Sequence, residues 1–189
     1  MTLAALKHAL AESSESLPEA HIDSLMKAYD SLSTFPDVSP ALKSLASDPS
    51  IDAYVFSNGT HAMVSSSVNS SPSLSPHASV FKALITVEEP QVFKPDPRVY
   101  KYLSERVRQA NMGKIWLVSG NPFDVVGARS VGMQAAWVDR KGHHGNGGWT
   151  DQMGGLVGGV GPTIIVSGVE DAVEGIKKWM EENGDRMER

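Results

Sequence analysis

From residue 51 onward, short apolar runs alternate with longer stretches whose apolar residues have helical spacing. This alternation is typical of βαβ units, in which a helix connects two parallel strands. It predicts an α/β fold with a parallel sheet and helices on both faces. The predicted strands are Ile51–Phe56, Phe81–Val87, Lys114–Ser119, Gln134–Val138 and Thr163–Val166, and the predicted helices start near Thr60 or span Pro97–Val107, Phe123–Val131 and Val169–Glu182, ahead of a frayed tail, Gly184–Arg189.

Helical spacing also occurs ahead of this region. Apolar residues recur every three or four positions within Leu3–Leu32, and the polar stretch Glu12–Glu19 divides the segment into two predicted helices. Helices of this length need an apolar surface in water, so we expect another part of the protein to lie against them. A third helix is predicted with Ser39 as its cap and Pro40 in its first turn, ending near Asp48.

The composition excludes several classes of function. The 189-residue chain has no cysteine, which rules out a disulfide framework, a thiolate nucleophile and cysteine-ligated zinc. Its 17 basic and 22 acidic residues give a net charge of −5, so its electrostatics favour neither nucleic acid nor an anionic membrane. No apolar run approaches the roughly 20 residues that span a bilayer, and the N-terminus does not resemble a secretory signal. We therefore expect a cytoplasmic protein without a nucleic-acid or membrane partner.

The segment Gly142–Pro162 holds nine of the 17 glycines. A phosphate-binding loop would need G-x-G-x-x-G or G-x-x-x-x-G-K-[ST] after a strand, and neither pattern occurs there. We therefore predict a mobile insertion. His143 and His144 lie in it without a matching carboxylate or third ligand, so we predict no metal site there.

Small polar clusters follow the predicted strands. Ligands of open α/β sheets bind beyond the carboxyl ends of the strands, so these clusters are expected to converge on one crevice. A crevice with one ammonium, one carboxylate, hydroxyls and amides suits an anion or a small carboxylate. The candidate residues are Ser57 and Asn58 after the first run, Lys94 after the second, and Ser119, Asn121 and Asp124 after the third.

Each cluster also has a structural interpretation. Ser57-Asn58-Gly59 is a common turn sequence, Lys94-Pro95-Asp96-Pro97 can begin a helix, and Asn121 can cap the helix that contains Asp124. A structural contact between Asp124 and Lys94 is as plausible as a catalytic role for Asp124. The order and spacing of the three clusters together favour a functional site.

The motifs SNG, V-x-KPDPRVY and VSGNPFDVVGARSVGM-x-x-AWVDR, in this order, resemble the haloacid dehalogenase superfamily, and within it the 2-haloacid dehalogenases. The resemblance covers approximately Tyr29 to Lys141. It implies a Rossmann-like parallel sheet with a helical cap inserted after the first strand. It divides the chain into a remnant of the helical cap, residues 1–34, and a core, residues 35–189, that includes the glycine-rich insertion.

The resemblance also implies roles for individual residues. In this family an aspartate attacks the carbon that carries the halogen, and water then hydrolyses the ester. Ser57 and Asn58 match the contacts to substrate and halide, Lys94 matches the lysine that stabilises the nucleophile, and Tyr100 matches a motif tyrosine predicted to bind substrate. The remaining motif residues, around the attacking aspartate and its water, correspond to Ser119, Asn121 and Asp124.

The resemblance also bears on metal ions. Related phosphatases hold Mg²⁺ partly through a carboxylate four residues before the aspartate of the last motif, and that place is Gly120 here. One carboxylate from this loop is a poor ligand set for Mg²⁺. We therefore predict no cofactor and no metal, and Gly120 disfavours a Mg²⁺-dependent phosphatase.

The nucleophile of the family has no counterpart in this sequence. It belongs to an Asp-x-Tyr-Gly-Thr-like segment at the end of the first strand, and the closest string here, Phe56–Thr60, has Phe56 in the place of the aspartate. We hypothesise a truncated enzyme that lacks the central strand between those ending at Ser57 and Ser119. Alternatively these two strands close against each other, or a partner chain supplies a strand, for example the second copy of a homodimer.

Two functions of different class remain open. The first is hydrolytic dehalogenation of a small 2-haloacid, with this chain inactive as it stands. The second is a catalytically dead relative that binds a small carboxylate or a partner protein in the same crevice.

Overall fold

The structure, a computed structural model, describes residues 2–28, 32–140, 149, 152, 155 and 158–187. Strands and helices alternate from residue 53 onward, as the sequence predicts. The helices are α1 (Thr2–Glu12), α2 (Glu19–Ala28), α3 (Val38–Ala46), α4 (His61–Ser70), α5 (Pro97–Arg106), α6 (Pro122–Ser130) and α7 (Val169–Met187), and the strands are β1 (Ala53–Ser57), β2 (Phe81–Thr86), β3 (Trp116–Ser119), β4 (Gln134–Val138) and β5 (Ile164–Val166).

The strands form two parallel sheets. One has the order β1-β2, with Val55 opposite Leu84, and the other has the order β3-β4-β5, with Leu117 opposite Ala135. The predicted α/β class with parallel strands and flanking helices is therefore confirmed. Among the described residues, β1 and β3 share no ladder of hydrogen bonds.

Helices cover both faces of the three-stranded sheet. Leu117 of β3 packs in one apolar cluster with Val125 of α6, whereas its neighbour Trp116 forms an edge-to-face ring pair with Trp179 of α7, centroids 5.2 Å apart. Because successive residues of a strand point to opposite faces, α6 and α7 lie on opposite sides of the sheet.

A single apolar core joins the two sheets. Ile85 of β2, Tyr100 of α5, Leu117 of β3 and Ala135 of β4 all belong to it, and Phe56 of β1 packs against it. Its fully buried members include Tyr100, Val125 and Met133, each with an exposed fraction of 0%. This packing fixes the strand ends that carry the polar clusters.

The first two helices form where the sequence predicts them. Lys7 of α1 pairs with Glu19 of α2 at 3.0 Å, and Ile22 is buried, whereas Leu3 and Leu25 are 40% and 45% exposed. The expected covering surface is thus only partly present among the described residues.

Two details of the helices correct the sequence predictions. The third helix begins at Val38, and Ser39 is not its cap, because the Ser39 hydroxyl instead binds His77 Nε2 at 2.9 Å. The last helix continues to Met187 instead of fraying after Glu182. Glutamate, arginine and methionine have good helix propensity, so a helix whose first half is packed extends readily into this charged tail.

Long-range contacts attach the segment before α3 to the rest of the fold. The Arg140 guanidinium donates two hydrogen bonds to the Asp37 carboxylate, at 3.0 and 2.9 Å, and stacks on the Phe35 ring. Asp37 also accepts the backbone N–H of Val169 at 2.7 Å, at the start of α7. The Arg140 hydrogen bonds lower the pKa of Asp37, outweighing the opposing effect of burial, and the Val169 N–H lowers it further.

Parts of the sequence predictions lie outside the described residues. They include His143, His144 and most of the predicted insertion Gly142–Pro162. Within the described part of the chain, no helix combines the length and apolar character needed to cross a bilayer.

Candidate active site

The candidate residues come together at one edge of the sheets. β1 and β3 both end there, at Ser57 and Ser119. Lys94, in the loop before α5, contacts the Phe56 carbonyl near the end of β1. Parallel strands present their carboxyl ends on the same side, which is why clusters far apart in sequence meet. The convergence expected from the sequence is therefore seen for Lys94, Asn58, Ser119 and Asp124.

Lys94 lies at the centre of this group. Its side chain is 8% exposed, and its ammonium Nζ donates to the Phe56 carbonyl of β1 and to Asp124 Oδ2, at 3.2 Å each. The same nitrogen lies 4.8 Å from the centroid of the Phe56 ring, in cation–π range. One buried ammonium therefore bridges the end of β1 and the start of α6.

The Asn58 side chain holds the backbone of Lys94. Its Oδ1 accepts the Lys94 N–H at 2.9 Å, and its Nδ2 donates to the Lys94 carbonyl at 3.3 Å. The resemblance implies that the Asn58 side-chain amide contacts the substrate and the halide, but here it forms two hydrogen bonds with the backbone of Lys94. Asn58 thus positions the lysine, and one N–H of its amide remains for a ligand.

The two carboxylate oxygens of Asp124 differ in their hydrogen bonding. Oδ2 accepts hydrogen bonds from Lys94 and from the Ser119 hydroxyl, at 3.2 and 3.0 Å. Oδ1 is buried and has no hydrogen-bond partner among the described residues. An unsatisfied buried polar atom costs about 1–3 kcal/mol, so a donor from a ligand or a water molecule would be stabilised there. The position in the first turn of α6 also favours negative charge.

Ser119 and Asn121 shape the loop between β3 and α6. The Ser119 hydroxyl accepts the Asn121 N–H at 3.0 Å while it donates to Asp124. Asn121 is the residue before α6, but its side chain forms no capping hydrogen bond. The exposed amide of Asn121 is therefore accessible to a ligand.

Tyr100 lies beneath Asp124, fully buried. Its hydroxyl donates to the Asp124 carbonyl at 3.3 Å, and its ring packs edge-to-face on Phe56 at 5.8 Å. Burial, helped by the charge of Asp124, raises the pKa of Tyr100 well above its ordinary value. In the structure the Tyr100 hydroxyl is hydrogen-bonded to the backbone of α6. The predicted contact of Tyr100 with substrate stays a prediction.

Ser57 ends β1 beside a cavity. Its hydroxyl accepts the Gly59 N–H at 3.0 Å in a tight turn. Ser57 also lines a cavity of about 350 Å³, mostly apolar, on the face of β1 that α4 covers. Its predicted role in substrate binding stays a prediction.

The residues near the site do not form an evident metal-binding group. In the parts of the chain that the structure describes, no three His, Cys, Asp or Glu side chains are close enough together to hold a metal ion. At Gly120, where related phosphatases carry a carboxylate, the backbone carbonyl accepts the indole N–H of Trp137 at 3.3 Å.

Sequence reasoning missed two residues that shape the site. Phe56 contributes its carbonyl and its ring to Lys94. Gly127 allows α6 to approach α5, since a Cβ there would lie 2.2 Å from the Tyr100 hydroxyl oxygen. A glycine inside a helix lowers helix stability by about 1 kcal/mol relative to alanine. Its occurrence within a predicted helix was therefore the signal in the sequence that could have indicated a close contact.

A comparison with protein families gives one match over most of the chain. A family model described as a haloacid dehalogenase-like hydrolase matches residues 2–132. These residues include every candidate site residue.

Curated relatives carry related names. The chain is 35% identical over 124 residues to (S)-2-haloacid dehalogenase H-109 of Pseudomonas putida, covering 66% of this chain and 53% of that protein. It is 31% identical over 121 residues to (S)-2-haloacid dehalogenase 4A of Burkholderia cepacia, covering 64% and 50%. The chain spans about half the length of the curated relatives that it matches.

Solved structures show the same fold. An L-2-haloacid dehalogenase crystal structure aligns with a TM-score of 0.77 and 24% identity, covering 93% of this chain and 70% of that one. The L-2-haloacid dehalogenase from Xanthobacter autotrophicus with covalently bound chloropropionic acid aligns with a TM-score of 0.73 and 23% identity, covering 93% and 74%.

Proposed function

Because this chain belongs to the haloacid dehalogenase-like hydrolases, we propose that its site serves the hydrolytic dehalogenation of a small 2-haloacid. The observation that carries the proposal is the buried Lys94–Asp124 pair at the edge where β1 and β3 end, with Asp124 Oδ1 lacking a hydrogen-bond partner among the described residues. The names of the curated relatives, (S)-2-haloacid dehalogenases, support the same substrate class.

The proposed reaction has two steps. A carboxylate oxygen attacks the carbon that bears the halogen, a C–O bond forms, the C–halogen bond breaks, and halide leaves with the bonding electrons. Water then attacks the ester carbonyl, and the ester C–O bond breaks. One water proton passes to the oxygen of the released hydroxy acid, the other goes to solvent, and the carboxylate is restored. Each step develops negative charge next to protein groups that can stabilise it.

The site residues have distinct parts in this proposal. The Lys94 ammonium stabilises the attacking carboxylate in its ionised form through its positive charge. Asp124 Oδ1, to which no described residue donates, accepts a hydrogen bond from the attacking water and orients it. Ser57, Asn58 and Asn121 supply donors for the substrate carboxylate and the leaving halide. The substrate contact of Tyr100 is proposed from the resemblance alone.

The attacking carboxylate is not among the groups described around Lys94. Asp124 is the carboxylate that contacts the ammonium, and its Oδ2 already accepts two hydrogen bonds. We therefore propose that these 189 residues bind a small carboxylate but release no halide without an added nucleophile. A binding protein of the same fold is the second candidate, and the same observation favours it.

Binding and turnover can be measured separately. We expect 2-chloropropionate to raise the melting temperature of the purified chain in a saturable manner, without halide release. Lys94→Met should abolish the shift, whereas Lys82→Met, which replaces a lysine of β2 with a 62% exposed side chain, should preserve it. A shift that survives Lys94→Met would contradict the proposed site.

The same preparation tests the alternatives. Release of phosphate from p-nitrophenyl phosphate with Mg²⁺ would support the phosphatase that Gly120 disfavours. Halide release, or a covalent adduct on an aspartate found by mass spectrometry, would show that the chain carries its own nucleophile.

The boundary between the cap remnant and the core, and the cellular location of the protein, are also proposals. We propose that residues 1–34 are the remnant of a helical cap and residues 35–189 the core, and that the protein is cytoplasmic. The division is supported by the exposure of α1 and α2.

A further inference from the structure

The cavity beside β1 is formed within one β-α-β unit. All of its lining residues fall between Val55 and Phe81, so it is enclosed by β1, α4, the segment before β2 and the first residue of β2. None of the residues described outside this stretch contributes to the lining. The cavity is therefore a property of this unit, and it is separate from the Lys94–Asp124 pair of the candidate active site.

The cavity has the size of a small-molecule site. Its volume is about 350 Å³. An engineered apolar cavity of roughly 150 Å³ holds benzene, and ligand pockets commonly measure roughly 300–1,000 Å³. Protein interiors contain few voids larger than a water molecule. The cavity is thus far larger than a packing defect and has room for a molecule somewhat larger than benzene.

The lining disfavours a charged occupant. Apolar side chains make up most of it, and none of the lining residues carries a charge. A charged group placed in such surroundings loses its hydration and gains no partner, which is strongly unfavourable. An occupant of this cavity is therefore neutral and mainly apolar, unlike the small carboxylate proposed for the candidate active site.

One hydroxyl in the lining has no partner among the described residues. Ser67, in α4, is half-buried, and its hydroxyl forms no hydrogen bond with any of them. The hydroxyl of Ser57, the other serine in the lining, already accepts the Gly59 N–H at 3.0 Å. A few polar groups in a mainly apolar wall give a ligand site its specificity. The Ser67 hydroxyl can donate to an acceptor atom of the occupant.

Met63 connects the cavity with solvent. It belongs to the lining and is 42% exposed, and methionine side chains adapt readily to different neighbours. Gly59 keeps the end near Ser57 open, because a Cβ there would lie 3.2 Å from Ser57 Oγ and 3.3 Å from Val64 Cγ2. A small molecule can therefore enter without a change in the sheet.

We propose that this cavity binds a neutral, mainly apolar small molecule with one hydrogen-bond acceptor, and that the Ser67 hydroxyl donates to that acceptor. An aryl ketone has this chemistry. The site goes beyond the proposed function and does not rest on it, because no residue of the Lys94–Asp124 pair contributes to the lining.

Three ligands of similar size test this chemistry. Acetophenone has an aromatic ring and a carbonyl acceptor, α-methylstyrene has a methylene group in place of the carbonyl oxygen, and benzoate carries a charge. In two-dimensional NMR spectra of the isotope-labelled chain, acetophenone should shift the backbone amides of Val55, Val64 and Val68 saturably. We expect a Kd of about 1 mM or below. Benzoate at the same concentration should leave these amides unshifted.

Variants of α4 locate the ligand. Ser67→Ala should weaken acetophenone binding about fivefold, because one hydrogen bond is lost, and should leave α-methylstyrene binding within about twofold. Ser67→Phe fills the cavity and should abolish binding of both. Ser66→Phe makes the same substitution at the neighbouring position of α4, which is not part of the lining, and should preserve binding.

Three outcomes of these experiments would overturn the proposal. The first is an acetophenone titration that does not saturate at the lining amides. The second is an equal effect of Ser67→Ala on both neutral ligands, and the third is loss of binding in a folded Ser66→Phe variant.

Competition separates the cavity from the candidate active site. Saturating 2-chloropropionate should leave the affinity for acetophenone unchanged, and displacement of acetophenone would place it in the candidate active site and overturn the proposal. If 2-chloropropionate itself does not bind, the proposed function fails and the cavity site is retained. If only acetophenone does not bind, the cavity site fails and the proposed function is retained.

Discussion

The two sheets of this molecule differ in how completely they are packed. In the three-stranded sheet, β4 is flanked by strands on both edges and by α6 and α7 on its faces, and its last four residues are buried. In the two-stranded sheet, every residue of β1 stays half-buried beside a cavity. The same parallel architecture is thus complete on one side and open on the other, and the candidate site lies where the two meet.

The largest loss of stability is expected when the Lys94–Asp124 ion pair, which connects the two sheets, is broken. Lys94→Met leaves the buried Asp124 carboxylate without its cation, and removal of one partner of a buried pair costs about 3–5 kcal/mol. The free energy of unfolding, measured in urea by circular dichroism, should fall by that amount. The double variant Lys94→Met with Asp124→Asn should recover much of the loss, and a loss below about 1 kcal/mol would show that the pair does not hold the halves together.

A matched pair of truncations compares the two sides directly. Val125→Ala in α6 removes two methyl groups from a site that is 0% exposed, and we expect a loss of roughly 2–3 kcal/mol. Val55→Ala in β1, beside the cavity, should cost less than about 1 kcal/mol, because little packing is lost there. Equal losses in urea unfolding would mean that the two-stranded side is as tightly packed as the other.

The third prediction concerns Asp37, which links the start of α3 to Arg140 after β4 and to the first residue of α7. It involves the smallest of the three main losses of stability. The pKa of Asp37 is lowered below its ordinary 3.8, chiefly by the Arg140 hydrogen bonds. The folded state therefore binds this proton less readily than the unfolded state, so the stabilisation is present above about pH 4 and is lost as the pH falls below that value. Asp37→Asn should cost about 1–2 kcal/mol at pH 7.

The pH profile identifies the group. The difference in melting temperature between the wild-type protein and Asp37→Asn should narrow as the pH falls from 7 to 3, because the pKa of Asp37 is lowered in the folded state. Asp52→Asn, which alters an exposed pair with Lys82 at 3.6 Å, should change stability by no more than about 0.5 kcal/mol. A constant difference between wild type and Asp37→Asn across this range would contradict the assignment.

Local patterns predicted the elements of the fold well. The strand at Gln134–Val138 was predicted with its observed bounds, and the helices α1 and α2 formed on either side of the polar stretch. Such features depend on the spacing of apolar residues, which a single sequence contains. The parallel arrangement then explains why Lys94 and Asp124 meet.

Features that depend on distant partners could not be predicted. Asp37 and Arg140 are far apart in the chain, and neither has a local signal for the other. Ser39 resembles a helix cap in sequence, but a hydrogen bond to His77 takes its hydroxyl. The separation of β1 from β3 likewise depends on tertiary packing, because each strand alone has an ordinary apolar pattern.

The placement of the aromatic rings has a consequence for optical work on this protein. Its four tryptophans are Trp116, Trp137, Trp149 and Trp179. They form two edge-to-face pairs, 5.2 and 5.1 Å between centroids, that lie in or against the three-stranded sheet. Indole emission therefore reports on that sheet alone, and local opening around β1 and β2 would pass unnoticed in a tryptophan signal while Tyr54 and Tyr100 change their surroundings.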